Sequence, residues 1–212
     1  MGALDLITAH TIQAHPWLCP EIRLHLITEV CPLWRATEPE LAALGIVDPF
    51  WAFAWAGGQA LARYVLDHPA EVAGRRVLSF GAGSGLEAIA AMRAGAAEVL
   101  ATEIDPLAVS AISLNAALNA VEIRAALADV IGQELAYDLI LAGDVLYDGA
   151  FAARVLDWLQ RCARQGATVW VGDPGRGHLG GARLEELARY QVPADVDTRG
   201  EILRSASVYR LV

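Results

Sequence analysis

The chain contains no lysine, and all sixteen of its basic residues are arginine. Alanine is abundant, so a coding bias is the plainest explanation for this usage. With 25 acidic residues the formal net charge is -9 at pH 7, and no basic run is longer than Arg75-Arg76. Because nucleic-acid binding needs clustered positive charge, we expect no nucleic-acid partner.

Cysteine is also scarce. Cys19, Cys31 and Cys162 are scattered along the chain without the short spacings of metal or redox motifs. We therefore expect ordinary buried thiols in a reducing compartment, and no metal site.

Long apolar runs are absent as well. A membrane span needs about 18 uncharged apolar residues, and the longest candidate, 49–62, is interrupted by two glycines and a glutamine. No basic residue precedes Arg23, so the N-terminus lacks the charged start of a signal peptide. These features predict a cytoplasmic protein with no membrane partner.

The 212 residues, 55% of them hydrophobic, suit one domain with an N-terminal extension. Residues 1–48 contain four prolines and no strand alternation, which predicts helices and loops. The domain is expected over 49–212. Predicted helices cover 58–68, 86–94, 106–119, 149–164 and 182–190, and predicted strands cover 77–80, 98–102, 123–126, 138–142, 168–171, 191–197 and 205–211. This alternation predicts an α/β fold whose parallel sheet is covered on both faces and binds its ligand at the carboxyl ends of the strands.

A glycine-rich turn follows the first predicted strand of this domain. Gly81, Gly83 and Gly85 lie between that strand and a helix, and Glu103 ends the next strand. Glycines allow a sharp turn and a close ligand, and an acid about twenty residues on is the usual partner of ribose hydroxyls. Leu86 stands where the dinucleotide spacing GxGxxG needs glycine. The spacing thus favours S-adenosylmethionine over NAD.

Further segments carry a more specific resemblance: PEIRLHLIT (20–28), PFWAFAWAGGQALARYVLDHP (49–69), TEIDPLAVSAISLNAALN (102–119), GDVLYD (143–148) and VGDPGR (171–176). With them the chain resembles the seven-β-strand protein lysine methyltransferases that act on the electron transfer flavoprotein β-subunit. The sequence differs from this family at two positions: Ser79 stands where the cofactor motif usually has Asp, and Ala56 stands where Pro is common.

The resemblance implies a Rossmann-like class I methyltransferase with a seven-stranded, mostly parallel sheet, helices on both faces and an N-terminal helical extension. It implies transfer of methyl groups from S-adenosylmethionine to lysines of a protein, with the electron transfer flavoprotein β-subunit as partner. We expect a monomer. An enzyme that modifies lysine and avoids modifying itself offers a second explanation for the absence of lysine.

The expected cofactor-binding residues are Trp55, Gly81, Gly83, Gly85, Glu103, Asp105 and Asp129. Glu103 would bind both ribose hydroxyls through its carboxylate. Asp105 precedes a proline and a helix, so its first role is that of an N-cap, with any cofactor contact secondary. Asp129 either accepts a hydrogen bond from the adenine amino group, as in related enzymes, or stabilises a turn. Trp55 packs on the cofactor, lines the substrate channel or belongs to the core.

Asp144 and Tyr147 match the family's DxxY motif and are the expected catalytic residues. A lysine must lose a proton before it attacks, which costs about 4.6 kcal/mol at pH 7. Because a carboxylate raises the pKa of a nearby amine, Asp144 is expected to orient the nitrogen and not to deprotonate it. Tyr147 adds a hydrogen bond or an aromatic wall. The segment from Asp173 to Arg176 is expected to shape the substrate mouth.

Three alternatives stay open on the sequence. The methyl acceptor could be a ribosomal protein or a small amine. The chain could bind the cofactor without catalysis. It could also be an NAD-linked oxidoreductase, against which the glycine spacing counts.

Overall fold

A computed structural model describes residues 2–193 and 203–212. The helices are α1 (Ala3–His10), α2 (Glu38–Ala43), α3 (Ala56–Asp67), α4 (Leu86–Arg93), α5 (Pro106–Leu118) and α6 (Gly149–Arg164). The strands are β1 (Ile12–Ala14), β2 (Leu24–Leu26), β3 (Arg76–Phe80), β4 (Glu98–Glu103), β5 (Arg124–Leu127), β6 (Leu139–Gly143), β7 (Thr168–Asp173), β8 (Leu184–Pro193) and β9 (Leu203–Leu211). Short 3-10 turns cover Pro32–Arg35, Phe50–Ala52 and Pro69–Glu71.

One seven-stranded sheet organises the domain, in the order β5-β4-β3-β6-β7-β9-β8. The pairs from β5 through β7 are parallel, whereas β9 runs antiparallel to both β7 and β8. From β3 the chain adds β4 and β5 on one side, and it then returns to add β6 and β7 on the other side of β3. At such a topological switch point the loops that follow the two neighbouring strands lead in opposite directions and leave a crevice between them. The predicted seven-stranded, mostly parallel α/β sheet is confirmed.

Both faces of the sheet are covered because the central strands are apolar on both sides. Alternate residues of β3 point to opposite faces: Val77 packs with the helices α3 and α4, while Leu78 packs with α6. The helix ends follow from local sequence, since Asp105 accepts a hydrogen bond from the N–H of Leu107 and Asp148 one from that of Phe151. From 58 to 173 the predicted helices and strands are confirmed to within two residues at each end.

The expectation of an N-terminal segment without strands is wrong. β1 and β2 pair in an antiparallel hairpin with Ile12 opposite Leu26. Each strand has three residues and β2 is buried throughout, so neither can show alternation. Tertiary contacts hold the hairpin in place: the N–H of His25 donates to Asn115 of α5 at 2.8 Å. The boundary at residue 48 is not tested by this packing and stays a prediction.

The helix predicted over 182–190 is also wrong, because β8 occupies Leu184–Pro193. β8 is one of the two edge strands of the sheet, and its pairing with β9 shifts register between Glu186 and Ala188. Such a bulge interrupts the two-residue period and leaves a spacing that resembles a helix. The strand predicted over 205–211 is confirmed as part of β9. The strand predicted over 191–197 agrees with the end of β8 at 191–193; the rest of it and the expected turn around Arg199-Gly200 lie outside the described residues.

In the part of the chain that the structure describes, no helix combines the length and apolar character needed to cross a membrane.

Candidate active site

The carboxyl ends of β3 and β6 and the starts of α3 and α4 surround a narrow cleft. Its lining includes Trp55, Gly58, Gly81, Gly83, Glu87 and Gly143. A larger cavity of about 450 Å³ lies at the amino ends of β3, β6 and β7, beside Arg76 and Asp138. Those two side chains pair with each other, and ligands of open α/β sheets bind at the carboxyl ends. The cleft is therefore the candidate active site.

The glycine turn lies where the sequence predicted it. Gly81, Gly83 and Gly85 have φ angles of 58°, 51° and 83°, in the left-handed region that side chains disfavour. A Cβ atom at Gly81 would lie 2.9 Å from Cγ1 of Val145. Gly81 and Gly83 line the cleft, so a cofactor can approach bare backbone there.

Glu103 closes the other side of this turn. Its Oε1 accepts a hydrogen bond from the N–H of Gly83 at 2.7 Å, and its Oε2 accepts one from the N–H of Ile104 at 3.0 Å. Burial raises the pKa of Glu103 above its usual range, while these amide donors act in the opposite direction. A carboxylate offers about four acceptor positions, so the side chain can also accept a hydrogen bond from a ribose hydroxyl.

Asp144 is nearly inaccessible, with a side chain 2% exposed. Its Oδ2 accepts a hydrogen bond from the N–H of Gly57 at 2.7 Å, and its Oδ1 accepts one from Nε of Arg176 at 2.7 Å. Gly57 lies in the first turn of α3, where unsatisfied N–H groups attract a negative charge. Asp144 thereby connects the end of β6, the start of α3 and the loop after β7. Asp144 itself has a φ of 58°, in the left-handed region that residues other than glycine rarely adopt.

Arg176 lies at the mouth of the cleft. Its guanidinium carbon is 5.9 Å from the ring centroid of Trp55, within reach of a cation–π contact. Oδ1 of Asp173 accepts hydrogen bonds from the N–H groups of Gly175 and Arg176 at 2.7 Å and 3.2 Å, which shapes this loop. Burial raises the pKa of Asp173 above its usual range.

Aromatic rings surround the mouth. Phe50 lies 6.0 Å from both Trp55 and Tyr147, measured between ring centroids, and Phe53 lies 5.4 Å from Trp55. Nε1 of Trp55 donates to the carbonyl oxygen of Phe50 at 2.9 Å, which holds the Trp55 ring at the cleft. Tyr147 is 52% exposed and Phe50 50%. We call Phe50, Phe53, Trp55 and Tyr147 the aromatic rim.

Two of the predicted cofactor residues use their carboxylates locally. Asp105 caps α5 through the N–H of Leu107 at 2.8 Å. Oδ1 of Asp129 accepts from the N–H of Ile131 at 3.0 Å, a turn that follows β5. The roles of both in cofactor binding stay predictions.

Glu87 is a cleft residue that the sequence reasoning missed. It is the second residue of α4 and only 6% exposed. The available signal was a single acid in the otherwise apolar run LEAIAA, and such an acid in a first helical turn ordinarily faces solvent and the helix dipole. Burial, and then the negative charges of Asp144 and Glu103, raise the pKa of Glu87 to about 8.

Comparisons with known proteins agree with this geometry. The family model of ribosomal protein L11 methyltransferase (PrmA) matches residues 28–148. The electron transfer flavoprotein beta subunit lysine methyltransferase of Xenopus laevis is 44% identical over 195 residues, which cover 89% of this chain and 78% of the relative. That of Danio rerio is 43% identical over 200 residues, with 91% and 76% covered.

A further relative, a ribosomal protein L11 methyltransferase of Vibrio cholerae, is 41% identical over 95 residues, covering 44% of this chain and 32% of the relative. Among solved structures, the N-methyltransferase NodS of Bradyrhizobium japonicum in complex with S-adenosyl-L-homocysteine is similar, with a TM-score of 0.52 and 15% identity over 73% of this chain and 87% of that one. The fold is therefore that of class I methyltransferases, and the chain belongs to the family of electron transfer flavoprotein beta subunit lysine methyltransferases.

Proposed function

We propose that this protein transfers methyl groups from S-adenosylmethionine to lysine side chains of a protein, and that its substrate is an electron transfer flavoprotein β-subunit. The observation that carries the proposal is the 44% identity to the Xenopus laevis enzyme over 89% of this chain. The alignment covers about nine tenths of this chain and more than three quarters of the relative.

The cofactor side of the cleft, comprising Gly81, Gly83, Glu87 and Glu103, fits S-adenosylmethionine. When bound, this cofactor supplies an electrophilic methyl group on a positively charged sulfonium. Gly81 and Gly83 offer backbone without side chains, and Glu103 offers carboxylate oxygens for the ribose. The acidic lining suits a ligand with positive charges.

The acceptor side of the cleft, comprising Trp55, Asp144, Tyr147 and Arg176, supports a lysine substrate. A cation already lies there, since Arg176 is bonded to Asp144 and packs on Trp55. A lysine ammonium has the same charge and is stabilised by the same two partners. In our proposal the substrate lysine takes the place that Arg176 occupies, and Oδ1 of Asp144 then orients its nitrogen.

Loss of the lysine proton costs about 4.6 kcal/mol at pH 7 for an unperturbed amine. The rings of Trp55, Phe50 and Tyr147 exclude water from the lysine and so lower its pKa by desolvation. The carboxylate of Asp144 works in the opposite direction. We therefore assign Asp144 to the orientation of the nitrogen and the aromatic rim to its desolvation.

The test is methylation by the purified protein with S-adenosylmethionine. Electron transfer flavoprotein β-subunit and ribosomal protein L11 would be offered separately, and modified lysines located by mass spectrometry. We expect methylated lysines on the first protein alone. Modification of L11 alone would instead support a second candidate function, the methylation of ribosomal protein L11. The match to the L11 methyltransferase family model favours this alternative. Modification of neither, with cofactor binding intact, would contradict both substrates.

From the sequence we also propose a cytoplasmic location and a monomeric state. Size-exclusion chromatography with light scattering would test the second.

A further inference from the structure

The carboxyl group of Glu87 occupies a gap that two glycines leave open. A Cβ atom on Gly58, in the first turn of α3, would come 2.7 Å from Oε1 of Glu87. A Cβ atom on Gly143, at the end of β6, would overlap the same oxygen and lie 2.8 Å from Cα of Gly58. The carboxyl group therefore lies between the backbones of α3 and β6, inside the cleft and next to the glycine turn.

The described part of the chain gives this carboxyl group little hydrogen bonding. Within residues 2–193 and 203–212, its hydrogen bonding is confined to its own backbone amide. The titratable groups that face it are Asp144 after β6, Glu103 of β4 and the thiol of Cys19 in the N-terminal segment. All of these are acids, and α3 presents Gly58 at this point. A buried carboxyl group in such surroundings is normally satisfied by a donor or a cation.

We propose that Glu87 binds the α-ammonium group of S-adenosylmethionine. The inference rests on the proposed function, which supplies the cofactor. The ammonium group offers three N–H donors and a positive charge, whereas the sulfonium group has charge but no N–H. The negative charges of Asp144 and Glu103 disfavour the cofactor's own carboxylate at this place and favour its ammonium.

Proton release follows from this arrangement. The pKa of Glu87 is raised to about 8, so at pH 7 the side chain is mostly protonated before the cofactor binds. Contact with an ammonium group favours the charged carboxylate. Binding of the cofactor's amino-acid portion therefore expels close to one proton at pH 7.

The experiment is isothermal titration calorimetry on the full chain with two ligands. S-adenosylhomocysteine carries the α-ammonium group, and 5′-methylthioadenosine lacks the amino-acid portion. The variant is Glu87→Gln, which keeps the size of the side chain, and the matched control is Glu98→Gln at the exposed start of β4. Titrations in two buffers of different ionisation enthalpy count the protons released.

We expect Glu87→Gln to bind S-adenosylhomocysteine at least about tenfold more weakly, the lower end for a charged hydrogen bond. Its affinity for 5′-methylthioadenosine, and both affinities of Glu98→Gln, should stay within about twofold of wild type. Wild type should release close to one proton on binding S-adenosylhomocysteine at pH 7, and Glu87→Gln none.

Unchanged binding of S-adenosylhomocysteine by Glu87→Gln would overturn the inference, and so would an equal loss for both ligands. If the variant failed to fold, equal affinities of wild type for S-adenosylhomocysteine and 5′-methylthioadenosine would overturn the inference, because the α-ammonium group would then contribute nothing to binding. In all three cases wild type still binds the cofactor product, so the proposed function stands. Failure of wild type to bind either ligand would contradict the proposed function itself.

Discussion

The two sides of the cleft hold buried carboxyl groups in opposite states. On the acceptor side, both oxygens of Asp144 accept hydrogen bonds, one from a helix N-terminus and one from a guanidinium. On the cofactor side, Glu87 lies against glycine backbone with other acids as its charged neighbours. The protein itself thus supplies positive partners to Asp144, whereas none of the charged neighbours of Glu87 is positive.

This difference distinguishes a carboxylate that stabilises the fold from a carboxyl group that binds a ligand. A buried carboxylate whose partners come from the chain contributes to the native fold, and breaking one partner is costly. A buried carboxyl group without partners costs free energy in the absence of ligand. Such a cost persists at sites where a ligand supplies the missing partner.

The largest expected effect is on the pH dependence of the free energy of unfolding. If this dependence were absent, the contrast between Glu87 and Asp144 would be wrong. In the unfolded chain Glu87 ionises near pH 4.5, and in the native protein near pH 8. The native state therefore holds an extra proton between these values, so the free energy of unfolding falls as pH rises from about 4.5 to 8. The full span is on the order of 5 kcal/mol.

Urea unfolding of wild type and Glu87→Gln without ligand, at pH 5 and pH 8.5, measures this effect. The variant should lose the slope and become the more stable protein at the higher pH. Parallel pH profiles for the two proteins would show that Glu87 ionises normally in the native state.

The second effect concerns Glu103, the cofactor-side carboxylate that does have donors. Glu103→Ala removes the acceptor for the Gly83 amide and for the ribose hydroxyls. Binding of S-adenosylhomocysteine should weaken by roughly 1.5 to 3 kcal/mol, the range for charged hydrogen bonds. Calorimetry checks this, with exposed Glu122→Ala as the control. An unchanged affinity would assign Glu103 to the support of the glycine turn alone.

The third effect tests the acceptor side. Asp144→Asn keeps the shape but loses the charge that attracts an ammonium group. Methyl transfer should fall at least about tenfold, or about 1.4 kcal/mol of transition-state stabilisation. Single-turnover assays would measure it, with calorimetry and thermal unfolding on the same preparation. Full activity of the variant would show that Asp144 does not orient the substrate. A general loss of folding would show that its role is structural, as the hydrogen-bonded link between Gly57 and Arg176.

The smallest effect distinguishes the two roles left open for Tyr147. Its ring contacts Phe50 and Phe151 at centroid distances of 6.0 Å and 5.9 Å, and Tyr147→Phe keeps that ring. If the ring acts as a wall, methyl transfer should change by less than about threefold, under roughly 0.7 kcal/mol. Tyr147→Ala should reduce it further. A tenfold loss in Tyr147→Phe would instead assign the hydroxyl to substrate binding.

Sequence patterns predicted most of the fold because its signals are local. Apolar runs, helix caps at Asp105 and Asp148, and glycines in the left-handed region each depend on a few neighbouring residues. The failures occurred where pairing is distant. The short N-terminal hairpin depends on Asn115, more than 80 residues away, and the bulge in β8 is defined by its partner β9.

The sequence by itself determined the alternation of strands and helices, the glycine turn and the acid at the end of β4, because strand, turn and cap propensities are properties of short segments. Only the tertiary structure decided which charges are satisfied. It joined Asp144 to Gly57 and Arg176, which are 87 and 32 residues away in the chain, and it enclosed Glu87 between Gly58 and Gly143. The physical reason is that burial and partners decide the state of a carboxyl group, and both arise when distant segments pack together.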